Sequence, residues 1–214
     1  MRCQLDHFIV AVPDVLAASR AVAEGLGVEP AFGGAHPDHG TCNALLSLGQ
    51  GRYLELIGRD PQARAPGALA HRAAAVEGAE VWGFALACDD LPELARRAPS
   101  LNLRATEPFD GSRLTAQGDV LRWQLLGLSC ETLGGLVPFA IDWLDTPHPS
   151  GTAPQGASLE SWHVAHPDPD AVQTLYRGLG LDVCVQFGLR PAIVIVVAHG
   201  ARRMTLTGRP ASLY

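Results

Sequence analysis

Two polar residues within apolar, strand-like segments are the first candidates for chemistry. His7 occurs in LDHFIVAVPD, residues 5–14, and Glu55 occurs in RYLELIG, residues 52–58. Alternate side chains of a strand face opposite sides, so both residues face one hollow if their large apolar neighbours pack under a helix. An imidazole and a carboxylate that converge in this way could bind a divalent metal or work as an acid–base pair. A buried polar network is the third interpretation.

The segment FGGAHPDHGTCN supplies a second set of candidates, His36, Thr41 and Asn43. Two glycines and a proline restrict His36 to a tight loop, and Thr41 and Asn43 begin the strand that follows. Such a loop could close over a ligand. The alternative is a structural loop in which Thr41 and Asn43 hydrogen-bond to their own backbone.

A predicted hairpin over residues 104–126 carries Arg113, Arg122 and Trp123. Guanidinium groups near a cavity suit a carboxylate, a phosphate or an enolate-like oxygen, so both arginines are candidate catalytic residues. Strand alternation separates Arg122 from Trp123, and the sequence leaves open which of them faces inward. Trp123 is a candidate ligand contact, with an ordinary core position as the alternative.

Asp142 is a further candidate ligand-binding residue, in the segment VPFAIDWL at residues 137–144. The apolar pattern of this segment matches that of RYLELIG and puts Asp142 where the earlier segment has Glu55. Asp142 would otherwise be the buried partner of an inward arginine. The His-Pro pairs at His148 and His166 are typical of turns and indicate no chemistry.

The elements that position these candidates occur more than once in the chain. LDHFIVAVPD returns as LESWHVAHPD, and in both places a Pro-Asp turn, a helical stretch and Gly-Leu-Gly follow. This repeat predicts a mixed α+β fold of βαβββ modules. The third module would extend the sheet or pair across a dimer, with Ser161 and Thr205 in the places of His7 and Glu55. We expect a first module at residues 1–58, a helical connection at 59–80, a second module at 81–145 and a third, βαβββ-like module at 158–208.

Composition excludes several classes of function. The 214 residues carry a formal net charge of -6 with no basic stripe for a nucleic-acid backbone. No apolar segment is long enough to span a bilayer and no leader is visible, so we expect a cytoplasmic protein. Five widely spaced cysteines favour free thiols over a disulfide framework or a zinc knuckle. No nucleotide-binding glycine motif and no nucleophile elbow occur, so no nucleotide cofactor is expected.

Four segments together resemble the glyoxalase-like domain proteins of the vicinal oxygen chelate (glyoxalase/bleomycin resistance/dioxygenase) superfamily. They are LDHFIVAVPD, GGAHPDHGTCNALLSLGQGRYLELIGRDP, SRLTAQGDVLRW and PFAIDW. The resemblance implies that two modules pair into a curved half-barrel sheet, with helices outside and the active site in the concave interior. It also implies one divalent metal (Zn, Ni, Mn or Fe), with His7 and Glu55 as its ligands from the first module. The second module offers only Gly83 and Asp142 for the matching pair.

The resemblance implies a glyoxalase-like small-molecule enzyme with lyase or isomerase chemistry that passes through an oxyanion. His7 and Glu55 would be metal ligands or acid–base groups, and Arg113 or Arg122 would stabilise the negative oxygen. The expected partners are a small-molecule ligand and a second copy of the chain in a homodimer. Two alternatives stay open: a protein of the same fold that sequesters a small ligand, and an interaction scaffold with a filled, apolar concavity.

Overall fold

The first module contains four strands and one helix in the predicted order. The computed structural model describes residues 2–114 and 120–211. Asp14 accepts a hydrogen bond from the Ala17 backbone N–H at 2.9 Å and begins the helix. Gly27, in the left-handed region with φ of 80°, ends it. The elements are β1 (Cys3–Ala11), α1 (Val15–Leu26), β2 (Ala31–His36), β3 (Thr41–Gly49) and β4 (Arg52–Arg59).

The second module repeats this plan after a connection that contains one short helix. No helix in the two described ranges is long and apolar enough to cross a membrane. The turn of the predicted hairpin, residues 115–119, lies outside the described residues. The connection contains α2 (Ala68–Ala74), and the module consists of β5 (Glu80–Cys88), α3 (Leu91–Arg97), β6 (Arg104–Ala105), β7 (Phe109–Leu114), β8 (Val120–Leu126), β9 (Leu128–Ser129) and β10 (Phe139–Asp142).

The two modules share one eight-stranded sheet, in the order β2-β3-β4-β1-β5-β10-β8-β7. In each module the first strand pairs in parallel with the last, and the modules meet through antiparallel pairing of β1 with β5. The sheet curves until its edge strands approach each other, and there the Arg113 guanidinium of β7 donates a hydrogen bond to the Gly33 carbonyl of β2. The predicted mixed α+β fold with a curved sheet is confirmed.

Strand alternation positions His7 on the concave side, while Phe8 and Val10 enter the main core on the other side of the sheet. A β-bulge at Asp6 interrupts this alternation, because Leu5 and His7 pair with two successive residues of β5. Leu5 therefore packs on the main core, on the opposite side of the sheet from His7. The bulge also brings the Asp6 carboxylate beside the His7 ring.

The third region forms a sheet of its own, so the first of the two alternatives, extension of the large sheet, is wrong, and pairing across a dimer stays a prediction. Trp162 of its first strand packs 5.2 Å from Phe8, which places the new sheet on the convex side of the large one. Each sheet buries an apolar face against the other. Ser161 and Thr205 are exposed, away from the concave side. The elements are β11 (Ser158–His166), α4 (Pro169–Gly178), β12 (Cys184–Phe187), β13 (Ala192–His199) and β14 (Arg202–Gly208).

The third region also differs from the first two modules in its strand pairing. Its order is β12-β11-β13-β14. The strand directly after the helix, β12, is the parallel neighbour of β11, whereas the last strand takes that place in the first two modules. The repeat in the sequence therefore covers the strand, the turn and the helix, and the pairing diverges after them. The module boundaries stay predictions.

Cys3 and Cys88 form a disulfide between β1 and β5. The expectation of five free thiols is wrong for these two residues, because antiparallel pairing across the module boundary places them directly opposite each other. Cys42, Cys130 and Cys184 are free, and Cys42 is buried. The disulfide therefore links the first and second modules at the start of the sheet.

Candidate functional site

His7 and Glu55 face one cavity on the concave side of the large sheet. The cavity has a volume of about 420 Å³, which lies in the range of sites that hold small molecules. The parallel pairing of β1 with β4 puts Ile9 opposite Glu55 and His7 opposite Tyr53. His7 Nε2 lies 3.6 Å from Glu55 Oε2, and both side chains are largely buried. An imidazole and a carboxylate thus meet at one wall of a ligand-sized cavity.

A buried carboxylate behind His7 fixes the orientation of its ring. The Asp6 side chain is 0% exposed, and its Oδ1 accepts a hydrogen bond from His7 Nδ1 at 2.5 Å. Its Oδ2 accepts from Trp143 Nε1 at 3.1 Å and from His148 Nε2 at 2.9 Å. Tyr53 stacks on the His7 ring with centroids 4.4 Å apart. Because Nδ1 is bound to Asp6, His7 presents Nε2 to the cavity.

Asp6 is ionised although it is buried. Burial by itself raises the pKa of this carboxyl group. Hydrogen bonds from His148 and His7, together with the charge interactions with both rings, outweigh burial and lower the pKa to about 2. A buried charge is stable only when several partners satisfy it. Asp6 is therefore a fixed negative charge behind His7.

β2 and β3 hold Glu55 from the other side. The tight loop predicted around His36 is wrong, because His36 is the last residue of β2 and the turn follows it at residues 37–40. Asn43 Nδ2 donates a hydrogen bond to Glu55 Oε1 at 2.7 Å, which leaves Oε2 toward His7. His36 Nε2 lies 3.4 Å from Asn43 Nδ2 and can only accept from it, so His36 Nδ1 carries the proton and donates to Thr41 Oγ1 at 3.0 Å. Burial lowers the pKa of His36, against the attraction of Glu55. The structure thus places His36, Thr41 and Asn43 on the cavity wall.

Gly33 makes room for this arrangement. A Cβ atom at Gly33 would lie 2.4 Å from Asn43 Oδ1, so a larger residue would displace the amide. Asn43 Oδ1 is itself buried without a hydrogen-bond partner among the residues that the structure describes. The Gly33 carbonyl oxygen is also the acceptor for Arg113. The glycine therefore supports both the residue that holds Glu55 and the arginine across the gap of the sheet.

Arg113 and Trp123 line the cavity, whereas Arg122 does not. Arg113 is 7% exposed, and burial lowers the pKa of its guanidinium against the attraction of Glu55. Arg122 is exposed, and its backbone N–H donates to Thr146 Oγ1 at 3.1 Å. Neighbours on a strand face opposite sides, and the structure places Trp123 inward. Arg122 therefore lies outside the candidate site, contrary to its expected position.

Asp142 also lies outside the cavity, and Phe139 occupies the place expected for it. Pairing of β1 with β5 is symmetric about Phe8 and Phe84, so Ala85 is the counterpart of Ile9. Ile9 pairs with Glu55, and Ala85 pairs with Phe139. The apolar match of VPFAIDWL to RYLELIG was therefore out of register. Asp142 Oδ1 accepts instead from the Leu144 backbone N–H at 2.9 Å.

The donors of the cavity do not fit a divalent metal. By the same symmetry, the counterpart of His7 is Gly83, so the second module supplies Gly83 and Phe139, and neither has a ligating side chain. Within residues 2–114 and 120–211, no group of three or more His, Cys, Asp and Glu side chains could hold a metal ion. Catalytic zinc sites have three protein ligands, and the common non-haem iron site has two histidines and one carboxylate. His7 and Glu55 alone are one short of that number.

The second module instead gives the cavity an apolar wall. Leu125 and Ile141 are buried in one cluster on this side, and Trp143 closes it with its ring 5.4 Å from that of Trp123. Phe109, at the mouth, is 37% exposed. The concavity is open and carries polar residues from the first module and from β7, so the expectation of a filled, apolar scaffold is not supported. Its apolar lining from β8 and β10 comprises Trp123, Leu125, Phe139 and Ile141.

Three residues of the site were not identified from the sequence. Asp6 was missed because strand alternation without a bulge points it away from His7. His148 was missed because a His-Pro pair is typical of turns, and Trp143 was missed because a core position is common for tryptophan. The repeated segment does contain a sequence signal that could have identified Asp6, an acidic residue at the same position in both copies. Glu160 stands at the same place in LESWHVAHPD and also lies at a bulge.

Comparisons with known proteins agree with this architecture. A family model described as a glyoxalase-like domain matches residues 5–180. No curated protein matches the chain. A hypothetical protein from Staphylococcus aureus has a solved structure with a TM-score of 0.64 and 15% identity, over 98% of this chain and 86% of that one. At such identity the likeness shows the fold alone.

Two further solved structures resemble about two thirds of the chain. A hypothetical protein from Bacillus halodurans C-125 has a TM-score of 0.53 and 15% identity, over 69% of this chain and 99% of that one. A methylmalonyl-CoA epimerase in complex with methylmalonyl-CoA and NH4+ has a TM-score of 0.51 and 17% identity, over 70% of this chain and 100% of that one.

Proposed function

This chain belongs to the glyoxalase-like domain family, and on that premise we propose that it is an enzyme that moves a proton on a small carbonyl compound. The match over residues 5–180 confirms the resemblance to the vicinal oxygen chelate superfamily. The observation that carries the proposal is the Glu55 carboxylate at 3.6 Å from His7 Nε2, on the wall of a cavity of about 420 Å³. Transfer of a proton from the substrate to such a group is the first step of many lyase and isomerase reactions.

Glu55 is the proposed general base. Asn43 binds its Oε1, so Oε2 is the atom that accepts a proton from the carbon beside a carbonyl group. His7 Nε2 can then exchange this proton with Glu55, because Asp6 keeps Nδ1 engaged and the ring fixed. Return of the proton to another carbon or to the other face gives an isomerase, and loss of a leaving group gives a lyase.

Arg113 is the proposed stabiliser of the enolate oxygen that this step creates. Its hydrogen bond to the Gly33 carbonyl uses one of five N–H donors and ties the guanidinium to the cavity edge. A buried, preorganised cation lowers the energy of a developing negative charge far more than one in water does. One similar structure is named as an epimerase, a class that this chemistry suits. No step passes through a metal, because the donors do not fit one.

Deuterium incorporation from heavy water tests the proposal. The probes are pyruvate, phenylpyruvate, phenylacetone and the adduct of methylglyoxal with a small thiol, followed by proton NMR. The wild-type protein should accelerate exchange at the carbon beside the carbonyl of at least one probe, and E55Q should lower that rate by about 10²–10⁴-fold. E77Q, which changes an exposed glutamate outside the cavity, is the matched control.

Equal rates for E55Q and the wild-type protein contradict the assignment of Glu55. Absence of exchange with a folded wild-type protein that still binds a probe contradicts the enzyme and favours a protein that sequesters its ligand. Homodimerisation and cytoplasmic location stay predictions. Light scattering coupled to size-exclusion chromatography measures the oligomeric state, and fractionation of cells measures the location.

A further inference from the structure

We propose that the substrate is a carbonyl compound with an aromatic substituent, which binds against the aromatic wall of the cavity. The aromatic wall is defined as Phe109, Trp123, Phe139 and Trp143, all of which line the cavity. The position of the carbonyl group rests on the proposed function. The preference for an aromatic group rests on the wall alone.

The orientation of the wall is fixed by contacts outside the cavity. Trp143 donates its Nε1–H to the buried Asp6 carboxylate at 3.1 Å, so its indole ring cannot turn freely. The Trp123 ring lies against it at 5.4 Å with an interplanar angle of 57°. Aromatic pairs prefer offset or edge-to-face arrangements over a face-to-face sandwich, and such pairs add to the stabilisation that area burial gives. A third ring in the cavity would therefore meet a preformed surface.

A glycine keeps the cavity open beside this wall. Gly111 of β7 pairs with Trp123 of β8, so both residues face the same side of the sheet. A Cβ atom at Gly111 would lie 2.2 Å from Trp123 Nε1. The indole therefore lies against the backbone of β7, and any other residue at this position would displace it.

Phe139 connects the wall to the reacting groups. It occupies the place that Glu55 has in the first module, and its ring meets the His7 ring edge to face at 5.7 Å. A substrate ring on the wall would have its first side-chain carbon directed to the polar side, where Glu55 and His7 lie. An aryl group one bond from the carbon that loses the proton fits this spacing. The same aryl group would also delocalise the charge of the enolate.

Equilibrium binding separates this inference from the catalytic proposal. The measurement is calorimetric titration of phenylacetone and of butanone into E55Q, which cannot turn the probe over under the proposed function. Phenylacetone should bind at least about tenfold more tightly, because it buries a ring that butanone lacks. W123A should reduce this preference to about twofold or less. F187A, which removes a ring that is 69% exposed on the other sheet, should keep it.

Near-ultraviolet circular dichroism shows whether W123A is folded, and F109A at the mouth is the second variant if it is not. Equal affinity for the two probes, or a preference that persists in both wall variants, overturns the inference. Failure of both probes to bind overturns it as well. Preferential binding of phenylacetone without deuterium exchange in the wild-type protein leaves the wall assignment intact and contradicts the proposed function instead.

Discussion

The first and second modules share one strand plan but give the cavity opposite chemistry. In the first module, β1 and β4 direct His7 and Glu55 inward. In the second, the same two places hold Gly83 and Phe139. Equivalent strand pairing thus gives the two modules equivalent positions on the cavity wall, although the residues at these positions differ. A fold built by duplication can therefore place the proton-transfer pair in one half and most of the apolar recognition surface in the other, with Arg113 of β7 as the charged residue that the second half contributes.

The polar half of the cavity, which carries His7 and Glu55, is also the half whose side chains are held by more hydrogen bonds. Asp6 accepts three hydrogen bonds behind His7, and Asn43 holds Glu55. The apolar half depends mainly on packing, which Gly111 makes possible for Trp123, and on one hydrogen bond, from Trp143 to Asp6. Charged groups in a cavity require partners at fixed distances, whereas apolar groups require volume. Substitutions on the polar side should accordingly have larger effects than those on the apolar side.

The largest effect on stability is expected from D6A. Removal of this carboxylate leaves three donors without this acceptor, one on the buried His7 ring and two on the half-buried Trp143 and His148. Loss of one member of a buried ionic network costs about 3–5 kcal/mol. Urea denaturation measures the free energy of unfolding. D110A is the control, since Asp110 is exposed and accepts a hydrogen bond from Gln124 at 3.0 Å. A change for D6A no larger than that for D110A would show that the network does not support the polar half.

A pH effect of about 2 kcal/mol is expected from the same residue. The pKa of Asp6 is about 2 in the folded protein against 3.8 for the free group, so its ionised form stabilises the fold by about 2 kcal/mol above pH 5. This contribution is lost as the pH falls from about 5 toward 2. The wild-type protein should therefore lose more stability than D6N over that interval, as followed by thermal unfolding. Parallel curves for the two proteins would contradict the lowered pKa.

G33A should cost about 1–3 kcal/mol of stability, because its new Cβ atom would overlap Asn43 Oδ1. The displaced amide would also release Glu55, so deuterium exchange should fall with it. G151A is the control, because a Cβ atom there meets nothing within 4 Å. Full exchange activity in a destabilised G33A protein would mean that Asn43 does not hold the base.

The smallest effect is expected on the apolar side, from F139L. Leucine keeps most of the volume but loses the ring contact, which is worth about 1 kcal/mol. Affinity for phenylacetone should therefore fall about fivefold, with the exchange rate at saturation almost unchanged. Titration and exchange kinetics on one preparation measure both. A large loss of the saturated rate would place Phe139 among the reacting groups and weaken the division between the halves.

Much of the polar half could be predicted from the sequence. Strand alternation gives the common face of His7 and Glu55, and the glycine-rich segment gives His36, Thr41 and Asn43. The contribution of Asp6 could not be predicted this way, because a bulge reverses the direction of a side chain and is decided by pairing with a distant strand.

The apolar half was less predictable for a related reason. Asp142 was matched to Glu55 by apolar pattern, but short apolar segments fit several registers, and only the partner strand selects Phe139. The choice between Arg122 and Trp123 likewise depends on which face of β8 the curved sheet turns inward. His148 joins the site from a turn far along the chain, and such contacts leave no local pattern.

The claim that Glu55 acts in the reaction and the aromatic wall acts in binding is tested most directly by the kinetics of deuterium incorporation into phenylacetone. The values of kcat and KM are measured for E55Q and for W123A. E55Q is predicted to lower kcat by about 10²–10⁴-fold with little change in KM, because Glu55 acts in the reaction step. W123A is predicted to raise KM about tenfold with little change in kcat, because the aromatic wall acts in binding. Similar losses of kcat in both variants, or an unchanged kcat in E55Q, would contradict it.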